Sequence, residues 1–354
     1  MKNDQKTVGG IVPDVPQIND QKTVGGIVPD VPQINDQKTV GGVVPDVPQD
    51  IHSINRLVTD SPQKLVAACE RRYHRQVRLA ADEIMTRTGG HLMVALSGSS
   101  AAGKTTTAQK IERHLRKSGI GAITISLDDF YLGTECAPLL PNGQRDYETV
   151  HALDIELMTR CLSSLFERGQ CDMPEFDFAA DKPAKHKKHI SISADDVVII
   201  EGIHALNPLV TGHIPGDRLV KIYVRVGDDI YADAEKSAVL LNQRQIRLAR
   251  RLVRDASRRG SLADNTLKMW PQVVAGEWKY LFPYKSTADI TVTSLHAYEP
   301  CLLKERAIEL LNAVKADDRH FAAARELTQS LSGFVPLPVE YFPEDSLMRE
   351  FLEI

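Results

Sequence analysis

The sequence has little of what marks several protein classes. Its 354 residues include five cysteines, and no two of them form a C-x-x-C pair, so neither a zinc motif nor a disulfide framework is predicted. No apolar run is long enough to span a bilayer, and the first residues lack the apolar core of a signal peptide. A net charge of -4 leaves no basic excess for nucleic acid. We therefore expect a soluble, cytoplasmic protein that binds neither membranes nor nucleic acid.

The first fifty residues are a tandem repeat and lack the pattern of a folded domain. A unit that reads NDQKTVGGIVPDVPQI begins at Asn3 and returns at Asn19 and, with small changes, at Asn35. Gly-Gly pairs, prolines and few large apolar residues cannot bury enough surface to offset chain entropy. We expect residues 1–55 to form a disordered tail without a role in the chemistry. The alternative is a multivalent docking arm, because Val-Pro-Asp-Val-Pro could bind as an extended ligand.

The most informative segment is the loop at residues 98–105, GSSAAGKT, a complete G-x-x-x-x-G-K-[ST] phosphate-binding motif. An apolar run at 91–96 predicts a buried strand before it, and helical spacing at 105–117 predicts a helix after it. In that setting backbone N–H groups and the helix N-terminus bind phosphates. Lys104 would bridge the β- and γ-phosphates, and the Thr105 hydroxyl would ligate Mg²⁺. The predicted nucleotide-binding residues of this loop are Gly98, Ser99, Ser100, Ala101, Ala102, Gly103, Lys104, Thr105 and Thr106.

Apolar strands and amphipathic helices alternate along the rest of the chain. Further strands are predicted at 121–127, 197–200, 219–224 and 289–293, and helices at 61–84, 153–165, 302–314 and 318–331. This alternation predicts an α/β fold of the P-loop NTPase type, with a parallel sheet flanked by helices. The predicted divisions are an N-terminal helix at 56–90, a kinase domain at 91–316, and a C-terminal helix and tail at 317–354. We expect the final acidic segment to lie at the surface.

Two carboxylates follow predicted strands directly. Asp128 comes after the second strand and Glu201 after the third, and ligands of parallel α/β sheets gather at these carboxyl ends. A kinase needs one acid to take the proton of the acceptor hydroxyl and another to hold Mg²⁺. We therefore predict that Asp128 and Glu201 divide these two tasks at the sheet edge that carries the phosphate loop. The alternative for Asp128 is a helix cap or a solvated turn.

A row of arginines follows at residues 244–260. Arg247, Arg251, Arg254 and Arg258 are spaced by four, three and four residues, which places them on one face of a helix. The functional prediction is a helical lid that closes over the triphosphate and stabilises the charge of the transition state. A solvated basic helix and a nucleic-acid patch are the alternatives, the latter weakened by the absence of interleaved aromatic residues.

The joint order of these motifs resembles the uridine kinase and phosphoribulokinase family. The matching segments are GSSAAGKT, SLDDFY at 126–131, RDYETVHALD at 145–154, PEFDF at 174–178, VVIIEGIHAL at 197–206 and RRLVRDASRRG at 250–260. Residues 268–290 are similar to a bacterial uridine-kinase-like subgroup. The resemblance implies phosphoryl transfer from ATP, with Mg²⁺, to a small-molecule acceptor. It also implies that Asp128 is the base, that Glu201 is the metal-associated acid, and that Arg250, Arg251, Arg254 and Arg258 belong to the lid. Lys104, Arg250 and Arg254 join Asp128 in the predicted catalytic set.

The resemblance also implies an acceptor site made of Tyr131, Glu148, Phe176 and Asp181, together with the base. Glu148 stands where the family holds the ribose hydroxyls with an Asp, and Phe176 and Asp181 stand where it reads the base with a Tyr and a His. Phe176 can stack but cannot donate a hydrogen bond, and a site that reads a polar edge discriminates strongly.

The acceptor that the resemblance implies is the 5′-hydroxyl of a nucleoside such as uridine or cytidine, with a sugar phosphate or hydroxy acid as the alternative. A P-loop regulator without an acceptor is disfavoured, because no N-K-x-D motif occurs. A catalytically silent adaptor and a homo-oligomer remain open.

Overall fold

The computed structural model describes residues 47–87, 91–140, 143–177 and 180–352. Residues 1–46 of the predicted tail lie outside the described residues. The first helix, α1 (Ile51–Asp60), begins inside the range predicted as tail. Asp50 caps it by accepting a 2.8 Å hydrogen bond from the Ser53 N–H, and Ile54 and Val58, one turn apart, are buried. The predicted boundary at residue 55 is therefore too late.

A parallel sheet of five strands forms the centre of the described chain, as the sequence predicts. Its strands are β1 (Leu92–Gly98), β2 (Ala122–Ser126), β7 (Val197–Glu201), β8 (Leu219–Arg225) and β11 (Ile290–Thr293). Their order across the sheet is β11-β8-β1-β7-β2, and every neighbouring pair is parallel. The strands are short and apolar because helices cover both faces. Along β1, Val94 and Leu96 pack into one core, and Met93 and Ala95 pack into the other.

The helices divide between the two faces of the sheet. The remaining helices are α2 (Pro62–Met85), α3 (Lys104–Lys117), α4 (Ile155–Arg168), α5 (Pro208–Thr211), α6 (Gln243–Arg259), α7 (Ala263–Gly276), α8 (Glu299–Asn312) and α9 (Phe321–Ser332). The larger core lies under α2, α3, α6, α8 and α9, and the smaller one lies under α4 and α5. Within the described parts of the chain, no helix is long and apolar enough to cross a membrane.

Three small antiparallel pairs stand outside the central sheet. β3 (Gln170–Met173) pairs with β6 (Lys188–Ser191), β4 (Phe176–Asp177) with β5 (Lys182–Pro183), and β9 (Ile230–Tyr231) with β10 (Val239–Leu241). The second pair contains Phe176 and Asp177 of the PEFDF motif, and Asp181 lies between its two strands. This hairpin therefore carries two of the predicted acceptor residues.

The C-terminal segment, residues 333–352, is part of the core, so the prediction of a surface extension is wrong. Its buried apolar residues are Phe334, Leu337, Phe342, Leu347, Met348 and Phe351. Prolines and acids separate these residues, so their spacing follows no regular period. Each side chain packs separately into the larger core. Leu347 packs against the phosphate loop, where a Cβ on Gly103 would lie 2.5 Å from its Cδ1. Gly103 also has a φ of +87°, so both space and conformation favour glycine there.

Candidate active site

The phosphate loop connects β1 to α3 with the geometry of an anion site. Gly103 is left-handed and precedes the first turn of the fourteen-residue helix α3, whose free N–H groups and dipole favour a phosphate. Ala101 has a φ of +57°, which strains a residue with a side chain. The Lys104 ammonium donates to the Ser99 carbonyl at 3.3 Å. The predicted loop residues thus meet at the end of β1.

Ser100 is held through all three of its polar groups. Its N–H donates to Glu277 Oε1 at 2.9 Å, its carbonyl accepts from Arg247 Nη1 at 3.1 Å, and its hydroxyl accepts from Arg251 Nη1 at 2.8 Å. Arg247 and Arg251 lie on α6, and the Arg247 guanidinium also pairs with Glu277. Two of the four arginines of the predicted row therefore contact the phosphate loop.

Arg250 also contacts the loop, but its side chain is fully buried. It pairs with the Glu299 carboxylate through Nε and Nη2, and it donates to the Ala101 carbonyl at 3.1 Å and to the hydroxyl and carbonyl of Ser294. These five bonds use all five guanidinium donors. No donor is left for a phosphate. The placement of Arg250 therefore favours a role in holding the phosphate loop, and not the predicted catalytic contact.

The remaining arginines of the row have protein partners as well. Arg254 donates to Asp255 at 3.1 and 2.8 Å, and Arg258 donates to the Arg349 carbonyl at 2.6 Å. The apolar side of α6, including Leu252 and Val253, is buried in the core. In this conformation the predicted lid helix contacts the phosphate loop through Arg247, Arg250 and Arg251.

Glu201, at the end of β7, faces Thr105, in the first turn of α3. The Thr105 hydroxyl donates to Glu201 Oε1 at 3.0 Å, and the Ser126 hydroxyl donates to the same oxygen at 3.3 Å. Burial raises the pKa of Glu201 to about 7, and the charge of Lys104 opposes this rise. The pair supplies two oxygen ligands of the kind that Mg²⁺ prefers.

Asp128 lies at the same edge, in a short 3₁₀ turn (Leu127–Phe130) that follows β2. Its N–H donates to the Ser126 hydroxyl at 3.3 Å. Burial raises the pKa of Asp128 above its ordinary value, while nearby positive charges, Lys104 foremost, act in the opposite direction. The sheet thus brings the predicted base near the phosphate loop and Glu201.

The predicted acceptor residues fall into two places. Burial raises the pKa of Glu148 to about 7, and the charges of Arg251 and Lys104 lower it while that of Asp128 raises it, so Glu148 belongs to the same cluster. The rings of Tyr131 and Phe176 contact edge-on, with centroids 6.1 Å apart. Asp181 is exposed, and its carboxylate accepts from the Thr134 N–H at 3.2 Å.

The first turn of α3 is contacted by a carboxylate that the sequence analysis did not predict. Glu350 Oε2 accepts from the Thr106 N–H at 3.3 Å and from its hydroxyl at 2.7 Å. Thr106 is one of the predicted nucleotide-binding residues. The C-terminal segment thus brings an acidic side chain to the place where the loop is expected to bind a phosphate.

Comparison with known proteins agrees with this geometry. The sequence pattern of the Phosphoribulokinase / Uridine kinase family matches residues 93–299, which include the phosphate loop, both carboxylates and α6. The chain belongs to this family. The resemblance predicted from the motifs is therefore confirmed, and the family is one of P-loop kinases.

Individual members of the family match the same part of the chain. A uridine kinase of Saccharomyces cerevisiae is 29% identical over 206 residues, which are 57% of this chain and 37% of that protein. A uridine kinase of Clostridium botulinum is 26% identical over 203 residues, 57% of this chain and 87% of that protein. The chain thus spans little more than a third of the yeast relative and most of the clostridial one.

Solved structures of two kinases also match parts of the chain. D-glycerate 3-kinase from Cryptococcus neoformans has a TM-score of 0.41 at 14% identity, covering 57% of this chain and 87% of its own. Phosphoribulokinase from Rhodobacter spheroides has a TM-score of 0.38 at 17% identity, covering 57% and 69%. At these TM-scores neither structure bears on the acceptor.

Sequence reasoning missed several residues in this kinase-family site. The Tyr280 hydroxyl donates to Asp146 Oδ2 at 2.6 Å, and the buried His204 ring lies 6.1 Å from that of Tyr280. Burial lowers the pKa of His204 to about 4, so its imidazole is neutral. Glu277 is fully buried. The sequence did contain a signal for Glu277, because it directly follows the apolar residues 273–276, and an acid in a buried helical segment requires a buried partner.

Proposed function

We propose that this chain is a kinase that transfers the γ-phosphate of ATP to a hydroxyl of a small molecule, and that the acceptor is a nucleoside bearing a 5′-hydroxyl. The observation that carries the proposal is the meeting of Asp128 and Glu201 with Lys104 and Thr105 at the ends of three adjacent strands. Family membership supports the donor half. The acceptor half, the part of the site that would bind the molecule to be phosphorylated, rests on Asp128, Asp146 and Glu148 and on their charge.

Each residue of the donor half has a defined task. The loop N–H groups would bind the phosphates, and the Lys104 ammonium, now donating to the Ser99 carbonyl, would turn to the β- and γ-phosphates. Asp128 would accept the proton of the acceptor hydroxyl as its oxygen attacks phosphorus. Its raised pKa makes it a stronger base than an exposed carboxylate. Arg251, which already contacts Ser100, would add positive charge beside the loop.

Thr105 and Glu201 would hold Mg²⁺ together with the nucleotide. When bound, the ion would neutralise charge on the β- and γ-phosphate oxygens. Within the described residues, no three His, Cys, Asp or Glu side chains are grouped to hold a metal unaided. This agrees with a site in which phosphates and water supply most of the ligands.

The charge of the acceptor half favours an uncharged acceptor. Asp128, Glu148 and Asp146 lie close enough together to influence one another or a shared neighbour. Like charges repel more strongly in a partly buried site than in water, because the effective dielectric constant is lower there. A sugar phosphate or a hydroxy acid would meet this repulsion, whereas the hydroxyls of a nucleoside would donate hydrogen bonds to carboxylates. This supports the nucleoside over the anionic alternatives.

A panel of acceptors tests the proposal. The purified chain is incubated with Mg-ATP and uridine, cytidine, free ribose, a pentose phosphate or glycerate, and both ADP and the phosphorylated product are measured. We expect turnover with a nucleoside, lost in Lys104→Ala and Asp128→Asn. ADP release that no acceptor increases would contradict the kinase proposal. Turnover confined to an anionic acceptor would preserve the kinase and refute the nucleoside.

A further inference from the structure

Glu277 and Arg247 form a buried ion pair against the backbone of the phosphate loop. Arg247 Nη2 donates to Glu277 Oε2 at 2.8 Å, and Nη1 donates to Oε1. The same pair holds both backbone groups of Ser100: Glu277 accepts from the N–H, and Arg247 donates to the carbonyl. Neither side chain is appreciably exposed. The two contacts with Ser100 hold the peptide groups that flank it, and the two bonds between Arg247 and Glu277 hold these partners in place.

The backbone beside this contact is strained. Ala101 is left-handed, with a φ of +57°, and a residue with a side chain holds that conformation only where its surroundings enforce it. Contacts on both sides enforce it, because the Ser100 carbonyl is bonded to Arg247 and the Ala101 carbonyl is bonded to Arg250. The phosphate-binding shape of the loop therefore depends on side chains from outside the loop.

Glu277 also begins a π-helical turn that contacts the acceptor half. The turn, Glu277–Leu281, continues α7, and such turns are frequent at functional sites. The preceding Gly276 leaves no room for a side chain, because its Cβ would lie 2.3 Å from Glu148 Cβ. Within the turn, the Tyr280 hydroxyl bonds to Asp146. One short turn thus contacts the phosphate loop at one end and the segment 146–148 at the other.

We propose that Glu277 is a positioning residue for phosphoryl transfer: it fixes the phosphate loop through Ser100, and its turn sets that loop against the acceptor segment 146–148. The inference rests on the proposed function only where it calls residues 146–148 an acceptor segment. The expected effect of Glu277 on ATP binding does not depend on an acceptor. A buried ion pair is weak evidence of stabilisation, because apolar residues of similar volume often replace one without loss of stability. Such a replacement would, however, remove the contacts of this pair with Ser100.

The test separates stability from ATP binding. In Glu277→Gln, the amide cannot pair with Arg247 as the carboxylate does, and Ser100 loses a charged acceptor. We expect about a ten-fold higher Kd for ATP, corresponding to about 1.4 kcal/mol, together with a lower Tm. In the double variant Glu277→Met, Arg247→Met, no charge is left unpaired, so we expect the Tm to recover toward that of the wild type. The Kd should stay raised, because Ser100 still lacks both partners.

Gln76 supplies a matched control. It makes two buried hydrogen bonds to the backbone of Thr293, at 3.1 and 2.9 Å, and none to the phosphate loop. Gln76→Leu should lower the Tm and leave the Kd for ATP within about two-fold, since it removes buried hydrogen bonds only. Recovery of ATP affinity along with Tm in the double variant would overturn the inference, as would an unchanged Kd in Glu277→Gln.

The outcomes also distinguish this inference from the proposed function. A wild-type chain that binds ATP, with affinities ordered as above, but phosphorylates no acceptor would retain the positioning of the loop and refute the proposed kinase. If the wild type phosphorylates a nucleoside and Glu277→Gln keeps the wild-type Kd for ATP and the wild-type kcat, the proposed kinase is supported and the positioning role of Glu277 is refuted. A wild-type chain that binds no ATP would remove both.

Discussion

Glu350 accepts hydrogen bonds from both the N–H and the hydroxyl of Thr106, on the first turn of α3. A helix N-terminus favours an anion, and here a carboxylate of the same chain occupies the turn that the predicted site offers to a phosphate. The two negative groups would repel each other if both stayed. We therefore expect ATP to compete with the contact between Glu350 and Thr106.

We expect Glu350→Gln to bind ATP more tightly than the wild type. The amide keeps the size of the side chain and removes the charge that repels the nucleotide, so the Kd should fall about five-fold, equivalent to about 1 kcal/mol. Isothermal calorimetry with Mg-ATP measures the change. Glu344→Gln is the matched control, because Glu344 is exposed on the same segment. Equal or weaker binding by Glu350→Gln would show that the carboxylate does not oppose the nucleotide.

Asp128→Asn should abolish turnover without abolishing ATP binding. The amide cannot take the acceptor's proton, and a positioned general base contributes about 10²- to 10⁴-fold to the rate. Single-turnover kinetics at saturating ATP measure the loss in the chemical step. Asp129→Asn changes the neighbouring acid, which bonds to the Phe176 N–H, and should cost far less. A similar loss of rate in both variants would indicate that the substitutions damage the 3₁₀ turn, and not that Asp128→Asn removes a base.

The raised pKa values of Glu148 and Glu201 predict opposite responses of activity and stability to pH. Both move from an ordinary value of 4.5 to about 7, mainly because of burial. Between these values the folded protein holds protons that the unfolded chain has released, so stability falls as pH rises from about 4.5 to about 7. Activity should rise over the same window, because the deprotonated carboxylates are the forms that accept hydrogen bonds or bind metal.

Thermal unfolding from pH 5 to 8 checks the first part of this prediction. Glu148→Gln has no proton to lose, so its Tm should depend less on pH than that of the wild type. The matched replacement of an exposed acid, Glu156→Gln, should leave the pH dependence as it is, since the Glu156 side chain is 83% exposed. A wild-type Tm that rises steadily across this window would contradict the assigned shifts.

Leu347→Ala should destabilise the protein by about 2–5 kcal/mol, the usual range for removing a buried leucine side chain. Leu347 is fully buried against Gly103, so its truncation leaves a cavity beside the phosphate loop. Leu139→Ala removes the same atoms from a side chain that is 62% exposed, and its effect should stay within about 0.5 kcal/mol. Urea unfolding of both variants gives the comparison. Equal stabilities would mean that residues 333–352 are not part of the cooperative core.

Much of the site could be predicted because its signals are local. The phosphate loop, the strand before it and the helix after it lie within thirty residues, and the two acids follow directly on apolar strands. What failed depends on contacts distant in sequence. Glu277 meets Ser100 across 177 positions, and nothing near either residue specifies the other. Arg250 belongs to the same arginine-rich helix as the partly buried Arg254, and its ion pair with Glu299, 49 positions away, could not be read from the helix itself.

The C-terminal segment eluded prediction for a different reason. Its apolar residues follow no period of two or 3.6, so neither a strand nor a helix is indicated. Prolines and acids between them suggested exposure. Instead, the apolar side chains of the segment pack separately into the larger core, which the rest of the chain also lines.

The distance in sequence between Thr106 and Glu350, 244 positions, bears on how the protein folds. Contacts between residues so far apart raise the contact order, and a high contact order correlates with slow folding. During synthesis, β1 and α3 emerge well before the residues that cover the loop between them, so the apolar surface beneath Leu347 stays open in the nascent chain. Refolding experiments should therefore detect a late phase in which this cover docks, after the sheet has formed.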